Sequence, residues 1–395
     1  MTTRTEPPGK PENTAVGHTD TPATQGSLEV QQQPGPVVDD YRQLFLNDTP
    51  LLDVRAPVEF VKGAFPTSVN RPLMTDEERH LIGIRYKQAD QQSAIALGAE
   101  LVTPQLREQR VTAWAEFARQ NPHGALYCFR GGLRSRISQQ WMKEAGIDLP
   151  LVRGGYKALR TFLMETLAQL CDSMKLVLVG GRTGNGKTLL IKRLGSTVDL
   201  EELANHRGSS FGGMASEQPS NIDFENAVTV AMMKLEEAGH RKVFLEDEAR
   251  LIGRVCLPDT LRNAMQESPI VILECEMQQR IENCFDDYVP DLLQRYQSAH
   301  GIEAGFSAYA EHHRGSLSRI QKRFGPVRYQ HARELLDIAL QRHECDADTS
   351  AYPEFIEFML REYYDPMYDY QLSRKQQRVV ARGDAEQLLD WASQQ

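Results

Sequence analysis

The sequence predicts an α/β protein of two successive parallel-sheet units followed by a helical C-terminal region, and three observations support that reading. Short apolar strands alternate with amphipathic helices from about 39 to 160 and again from about 175 to 280, the order that lays helices on the faces of a parallel sheet. In the first unit a glycine-containing loop between a strand and a helix holds a cysteine and two arginines, Tyr127-Cys128-Phe129-Arg130-Gly131-Gly132-Leu133-Arg134-Ser135. In the second a strand runs into Gly181-Arg182-Thr183-Gly184-Asn185-Gly186-Lys187-Thr188, the G-x-x-x-x-G-K-[ST] spacing of a phosphate-binding loop.

Residues 1–38 are rich in Thr, Pro, Gln and Gly and nearly free of large apolar side chains. They bury too little surface to offset the entropy of ordering and are expected to form a disordered leader. The first unit, 39–160, opens with a short helix near Tyr41 and the strand Leu51-Leu52-Asp53-Val54. It continues to the strand Gly124-Ala125-Leu126-Tyr127 and a helix from about Leu133 to Ala145. A helix from about Tyr156 to Cys171 leaves this unit, with 161–174 expected to serve as a linker. The second unit, 175–280, has strand-like runs at Lys175–Val179, Lys242–Leu245 and Pro269–Leu273 separated by helical stretches, as in βαβ units. After about Met277 the chain reads as helix to its end, so 281–395 is expected to be a helical region packed on the second unit. No internal repeat is visible.

Composition narrows the class. With 395 residues, 41% hydrophobic and 25% charged, the chain is long enough for two ordinary globular units. A net charge of -9 gives no overall basic footprint, so any nucleic-acid contact must come from a local patch. The six cysteines, Cys128, Cys171, Cys256, Cys275, Cys284 and Cys345, are scattered without the close spacing of a zinc or redox motif. They read as reduced thiols of a cytoplasmic protein. No apolar run reaches the roughly 18–20 residues that cross a bilayer, and no membrane partner is expected.

The strand–loop–helix setting of Cys128 suits a reactive thiol. Successive backbone N–H groups in a tight loop make an anion nest, and the following helix adds its positive end. Arg130 and Arg134 supply further positive charge, which favours the thiolate. Such a loop accepts a persulfide, a perselenide or a phosphate; a buried structural cysteine beside a surface turn is the plain alternative. Upstream, Asp53-Val54-Arg55-Ala56-Pro57-Val58-Glu59-Phe60, Gly63-Ala64-Phe65-Pro66 and Val69-Asn70-Arg71-Pro72, with the later Val152-Arg153-Gly154-Gly155-Tyr156, resemble the signature of rhodanese domains. The resemblance covers about 38–160. It implies a sulfur-carrying role for Cys128 and a buried structural role for Asp53 and Arg55. The spacing from Cys128 to Arg134 is also that of cysteine-dependent phosphatases of related fold, although these usually place histidine where this chain has Tyr127.

In the phosphate loop, backbone N–H groups from Gly184 through Asn185 and Gly186 to Thr188 are expected to cradle phosphate oxygens while Lys187 neutralises charge. Gly181 and Thr183 belong to the same nest. Thr188 would ordinarily face Mg²⁺, with Glu246, Asp247 or Glu248 from the next strand as acidic help. Whether a metal is used stays open, and no tightly bound cofactor is expected. The nest accepts any diphosphate, with ATP only the default. Between these elements Leu203-Ala204-Asn205-His206-Arg207-Gly208-Ser209-Ser210-Phe211-Gly212 reads as a second anion-contacting loop, with Arg207 as a candidate phosphate clamp or a plain surface loop.

A rhodanese-like unit followed by a phosphate-loop unit resembles the tRNA 2-selenouridine synthase family. The cysteine loop, the phosphate loop, His206-Arg207-Gly208-Ser209, Glu246-Asp247-Glu248-Ala249-Arg250-Leu251-Ile252-Gly253 and Tyr363-Tyr364-Asp365-Pro366-Met367-Tyr368 carry this resemblance over about 38–372. The family more usually has Ser at the place of Ala249, which puts one minor hydroxyl contact in doubt. The resemblance implies a two-stage reaction on wobble 2-thiouridine of tRNA: alkylation of sulfur by geranyl diphosphate, then displacement of the S-geranyl group using selenium from selenophosphate. A selenophosphate-supplying enzyme is then an implied partner, and Cys128 would act as a perselenide carrier or as a nucleophile.

For RNA contact the candidates are Arg314, Arg319, Lys322, Arg323 and Arg328, in a basic run that also holds His312 and His313. A solvated helix face is the plain alternative. Tyr363, Tyr364, Tyr368 and Tyr370 could stack on a splayed base, or pack the helical region against the phosphate-loop unit. An ATP-dependent tRNA sulfurtransferase, a cysteine-dependent phosphatase-like enzyme and a non-enzymatic RNA-binding protein remain as rival readings.

Overall fold

A computed structural model of the chain describes residues 35–394. The leader expected over 1–38 therefore lies almost wholly outside the described residues. Its last part differs from expectation: Val37–Val38 form strand β1, parallel to Leu151–Val152, because that neighbouring strand offers an open edge. The backbone N–H of Leu151 donates to the Pro36 carbonyl and that of Arg153 to Val38.

The first sheet continues with β2 (Leu51–Asp53), β3 (Ser68–Asn70), β4 (Ala125–Tyr127) and β5 (Leu151–Val152) in the order β1-β5-β4-β2-β3. All its pairings are parallel. Every residue of β2 and β4 is buried, as expected where helices cover both faces. The helices are α1 (Tyr41–Leu46), α2 (Pro57–Val61), α3 (Asp76–Gln88), α4 (Gln91–Leu101), α5 (Pro104–Gln120) and α6 (Leu133–Glu144). The start of α3 is set by Thr75, which caps the Glu78 N–H while the Glu78 carboxylate accepts from the Thr75 N–H. No residue of α3 is buried, so it stands as an outer wall.

Helix α7 (Gly155–Ser173) leaves β5 directly, with Gly154 in the left-handed region at its start. Leu159, Leu163, Leu167 and Leu170 recur on one face and are buried. They join a single apolar core that takes in Phe65 and Tyr127 of the first unit and Leu176, Leu178 and Val228 of the second. The expected linker is thus a core helix; each leucine so buried contributes roughly 1.5–3 kcal/mol as an upper figure. Polar contacts reinforce the junction: Asn226 Nδ2 donates to Ala64 O at 2.6 Å, the Ala64 N–H donates to Asp223 at 2.6 Å, and Arg160 donates to Asn226 at 2.7 Å.

The second sheet contains β6 (Lys175–Gly180), β7 (Lys242–Glu246), then β10 (Ile270–Leu273) and β11 (Val379–Gly383), in the parallel order β11-β10-β6-β7. A small antiparallel hairpin, β8 (Leu251–Ile252) and β9 (Val255–Cys256), follows β7. Helices α8 (Lys187–Arg193), α9 (Leu200–Leu203), α10 (Asn221–Glu237) and α11 (Asp259–Glu267) complete the βαβ units. The helical region comprises α12 (Met277–Tyr288), α13 (Pro290–His300), α14 (Ile302–Phe324), α15 (Pro326–Asp346), α16 (Tyr352–Met359), a π-helical turn (Leu360–Tyr364), α17 (Asp365–Ser373) and α18 (Ala385–Ser393). It forms its own core around Tyr309, Leu317, Leu336, Phe355 and Tyr363. The all-helical expectation beyond Met277 fails at β11. That segment is short and half-exposed, and its pairing with β10 is a tertiary contact that periodicity does not reveal.

Candidate active site

Cys128 follows β4 at its carboxyl end, where ligands of open parallel sheets collect. Its side chain is buried, with Sγ 3.1 Å from the Ser135 hydroxyl on α6. The carbonyls of Cys128 and Phe129 accept from the N–H groups of Tyr156 and Lys157, fastening the loop to the start of α7. This closeness requires glycine at 155: its φ is +59°, and an added Cβ would collide with the Cys128 carbonyl oxygen. Asp53 and Arg55, both buried, form the pair beneath the site; Arg55 also donates to Gly63 O at 2.8 Å, with its guanidinium carbon 3.9 Å from the Tyr156 ring centre.

The two loop arginines differ. Arg130 is exposed and lies over Phe129, whereas Arg134 forms an ion pair with Glu59 at 2.5 Å. Burial works against ionisation of Glu59, but the hydrogen bonds and charge of Arg134, with Arg79, hold its carboxyl below the usual carboxylate range. The positive charge of Arg134 is therefore countered and not free for the thiol, a partner that sequence spacing did not show. Cys128 lines a solvent-open cavity of about 1690 Å³ bordered by α3, α4, α5 and α6. Its wall is apolar through Leu73, Met74, Ile82, Ile95, Val111 and Leu133, and its charged lining mixes Lys87 and Arg130 with Arg79 and Arg107, which are paired to Glu59 and Glu144 of the same lining.

The phosphate loop spans from β6 to α8. Gly184 (φ +83°) and Gly186 (φ +80°) turn the backbone, and Gly184 has no room for a side chain, since an added Cβ would lie 2.7 Å from Arg280 O and 2.8 Å from Cys284 Sγ. Lys187 Nζ donates to Gly181 O at 3.1 Å, bending back over the loop. Asn185 is buried and donates to Leu273 O on β10, so it fixes the loop to the sheet. Arg280 on α12 also supports it. Its guanidinium donates to Thr183 O at 3.0 Å and holds Asp365 through two bonds of 3.0 and 2.6 Å. Sequence reasoning missed Arg280 and Asp365, whose partners lie far away along the chain.

The acidic candidates at the end of β7 and just beyond it are placed unequally. Glu246 is fully buried and accepts from the Leu200 N–H of α9; burial, with Asp199 and Glu201 beside it, pushes its carboxyl well up. Asp247 is paired to Lys375 at 2.7 Å. Glu248 faces Glu201 across Gly208, and burial followed by the Glu201 charge raises its carboxyl to about 8, against the pull of Lys187. Glu201, also raised by burial, is a further site neighbour that the sequence did not single out. Glu246 Oε2 and Asp247 have partners while Glu246 Oε1 has none, and among the described residues no three His, Cys, Asp or Glu side chains are grouped to hold a metal ion, so no step is assigned to Mg²⁺. Arg207 is likewise engaged, with Asp287 and Asp291. Its loop is pinned by a 2.8 Å bond between Ser209 and the Tyr288 hydroxyl.

On the basic run, Arg314 and Arg328 are paired with Asp337 and Glu362, and His313 is buried. Arg319, Lys322 and Arg323 are exposed on successive turns of α14 and have no carboxylate partner among the described residues. Tyr363 and Tyr364 are buried in the helical core, while Tyr370 is exposed. No helix among the described residues is long and apolar enough to cross a membrane.

The family model described as the tRNA 2-selenouridine synthase AAA domain matches residues 174–395. A tRNA 2-selenouridine synthase of Marinobacter nauticus is 50% identical over 357 residues, 90% of this chain and 97% of its own length. Those of Pseudomonas fluorescens Pf-5 and Hahella chejuensis are 50% and 48% identical, each over 90% of this chain and over 97% and 94% of their own. With relatives at that identity over 90% of its length, the chain belongs to the tRNA 2-selenouridine synthase family of tRNA-modifying enzymes.

Proposed function

We propose that this enzyme forms 2-selenouridine at the tRNA wobble position in two stages divided between its two loops. In the first, the phosphate loop holds geranyl diphosphate. The sulfur of 2-thiouridine, deprotonated across N3–C2–S, attacks C1 of the prenyl chain; the S–C bond forms, the C–O bond breaks, and diphosphate leaves against Lys187 and the backbone N–H groups. Sulfur thereby becomes a competent leaving group. In the second stage Cys128 Sγ attacks C2 and expels geranyl thiolate. The selenium of selenophosphate then displaces Cys128 from C2, and water cleaves the P–Se bond to leave C2=Se and phosphate. No oxidant is needed, because selenium enters and stays at the selenide level.

The observation that supports this reading best is the cavity at Cys128. A relay that passed only a chalcogen atom needs a polar slot, whereas this thiol opens on about 1690 Å³ with an apolar wall and two cations, Lys87 and Arg130, beside it. That combination suits a nucleotide bearing a hydrocarbon group. Geranyl diphosphate and selenophosphate are substrates on this reading, a selenophosphate-supplying enzyme is the upstream partner, and tRNA as substrate puts the reaction in the cytoplasm. The test is reconstitution from purified components with nucleoside mass spectrometry. Geranyl diphosphate alone should yield S-geranyl-2-thiouridine, and added selenophosphate should yield 2-selenouridine. Conversion that requires ATP hydrolysis and ignores the prenyl donor would instead identify an ATP-dependent sulfurtransferase.

A further inference from the structure

A small cavity, of about 50 Å³, lies against the phosphate loop, and Thr183 of that loop forms part of its lining. We propose that it receives the far end of the donor's isoprenoid chain, and that Phe355, Ile356, Met359 and Leu360 set the chain length accepted. This rests on the prenyl-diphosphate reading above and adds to it a tail site and its gauge.

The cavity and the phosphate nest are parts of one construction. Cys284 lines the cavity and also packs on Gly184. The π-helical turn Leu360–Tyr364 places Leu360 and Tyr364 in the cavity wall, and π-turns of this kind concentrate at functional sites. The residue that follows the turn, Asp365, grips Arg280, which in turn holds Thr183. The same short stretch thus shapes the apolar wall and fixes the loop that would hold the diphosphate.

The lining also has the right chemistry. Val289, Phe355, Ile356, Met359 and Leu360 are buried and hydrocarbon or thioether in character. Most polar atoms of the wall have partners elsewhere: the Tyr288 hydroxyl bonds Ser209, the Tyr352 hydroxyl bonds His343, and His313 Nε2 contacts the Tyr288 carbonyl, which leaves His313 Nδ1 as a single polar atom without a partner. Burial, with His312 nearby, keeps His313 neutral, its pKa pushed down to about 3. With only His313 Nδ1 on offer, a nucleobase would leave most of its ring nitrogens and exocyclic groups without hydrogen bonds here, whereas an alkenyl chain has no such groups to satisfy. The volume is several times the roughly 10–15 Å³ that a single water requires, which suits one terminal isoprene unit. The first unit of a geranyl chain would then lie in the mouth beside Thr183.

The experiment measures prenyl transfer to 2-thiouridine tRNA with dimethylallyl, geranyl and farnesyl diphosphate, reading kcat/KM for each S-alkyl nucleoside. Two variants narrow the cavity, Met359→Phe and Leu360→Phe, and one widens it, Phe355→Ala. Narrowing should lower use of geranyl diphosphate by roughly tenfold or more while leaving the dimethylallyl donor nearly unaffected. Retained dimethylallyl transfer doubles as proof that the variant is folded. Widening should raise farnesyl use relative to geranyl. A wild-type enzyme that geranylates, with donor preference unmoved in all three variants, overturns the tail site alone. A wild-type enzyme that uses no prenyl donor overturns the two-stage reading, and the tail site with it.

Discussion

Lys187 and Cys128 have complementary defects: one can neutralise a departing diphosphate but offers no nucleophile, the other is a soft nucleophile without a Walker-type nest. Their variants should therefore stall at different species. Lys187→Ala should lose about 2–4 kcal/mol of transition-state stabilisation and leave the tRNA as 2-thiouridine, with little change in melting temperature. Unchanged transfer at saturating donor would refute this. In Cys128→Ala, S-geranyl-2-thiouridine should accumulate even with selenophosphate present, and reversed-phase chromatography resolves that nucleoside from its neighbours. Recovery of 2-thiouridine alone would place the thiol before alkylation. The buried carboxyls give a pH prediction at this scale. Glu248, raised to about 8 chiefly by burial and then by Glu201, keeps a proton in the folded state that the unfolded chain loses near its ordinary value of 4.5. Its contribution is complete below about pH 4.5 and is lost as the pH rises towards 8. Thermal melts across this window should show falling stability, and Glu248→Gln should flatten the fall. The loop residues were legible in sequence because each motif is contiguous. Glu59, Glu201, Arg280 and Asp365 were not, because each acts on a partner brought near only by folding.

At the level of elements, α14 presents Arg319, Lys322 and Arg323 together, unpaired with any described carboxylate, in a chain of net charge -9. Replacing the three by alanine should weaken tRNA binding and reduce the slope of log K against log salt by roughly one unit for each phosphate the variant no longer neutralises. A salt slope equal to that of the wild type would assign this face to solvent. Arg314 and Arg328 belong less clearly to such a surface, since each already has a carboxylate partner. The parallel α/β character was readable from apolar runs bounded by glycine-rich turns, and strands β4, β6, β7 and β10 lie close to where those runs stand. Strand β11 was not readable. Val379-Val380-Ala381 is too short and too exposed to signal a strand, and it becomes one only because β10 offers an unpaired edge. The helix from about Tyr156 to Cys171 was legible, but not that both sheets pack against its leucines.

Across the whole molecule the shared core joins the two units into one. Thermal unfolding should therefore show a single transition reported alike by tryptophans of the first unit, such as Trp114, and by substrate protection of the second. Leu163→Ala, at the centre of α7, should lower stability by about 2–5 kcal/mol and make both units protease-sensitive together. Two separated transitions would show the junction to be weaker than its packing implies. The order of strands in the second sheet has a consequence for how the chain is made. β10 leaves the ribosome about a hundred residues ahead of β11, its outer neighbour. Until the whole helical region has emerged, the nascent sheet keeps an open apolar edge beside the phosphate loop, the kind of edge to which another chain can add. Synthesis of this enzyme thus passes through an interval of exposure in which a chaperone, or simply a fast-folding helical region, decides the yield.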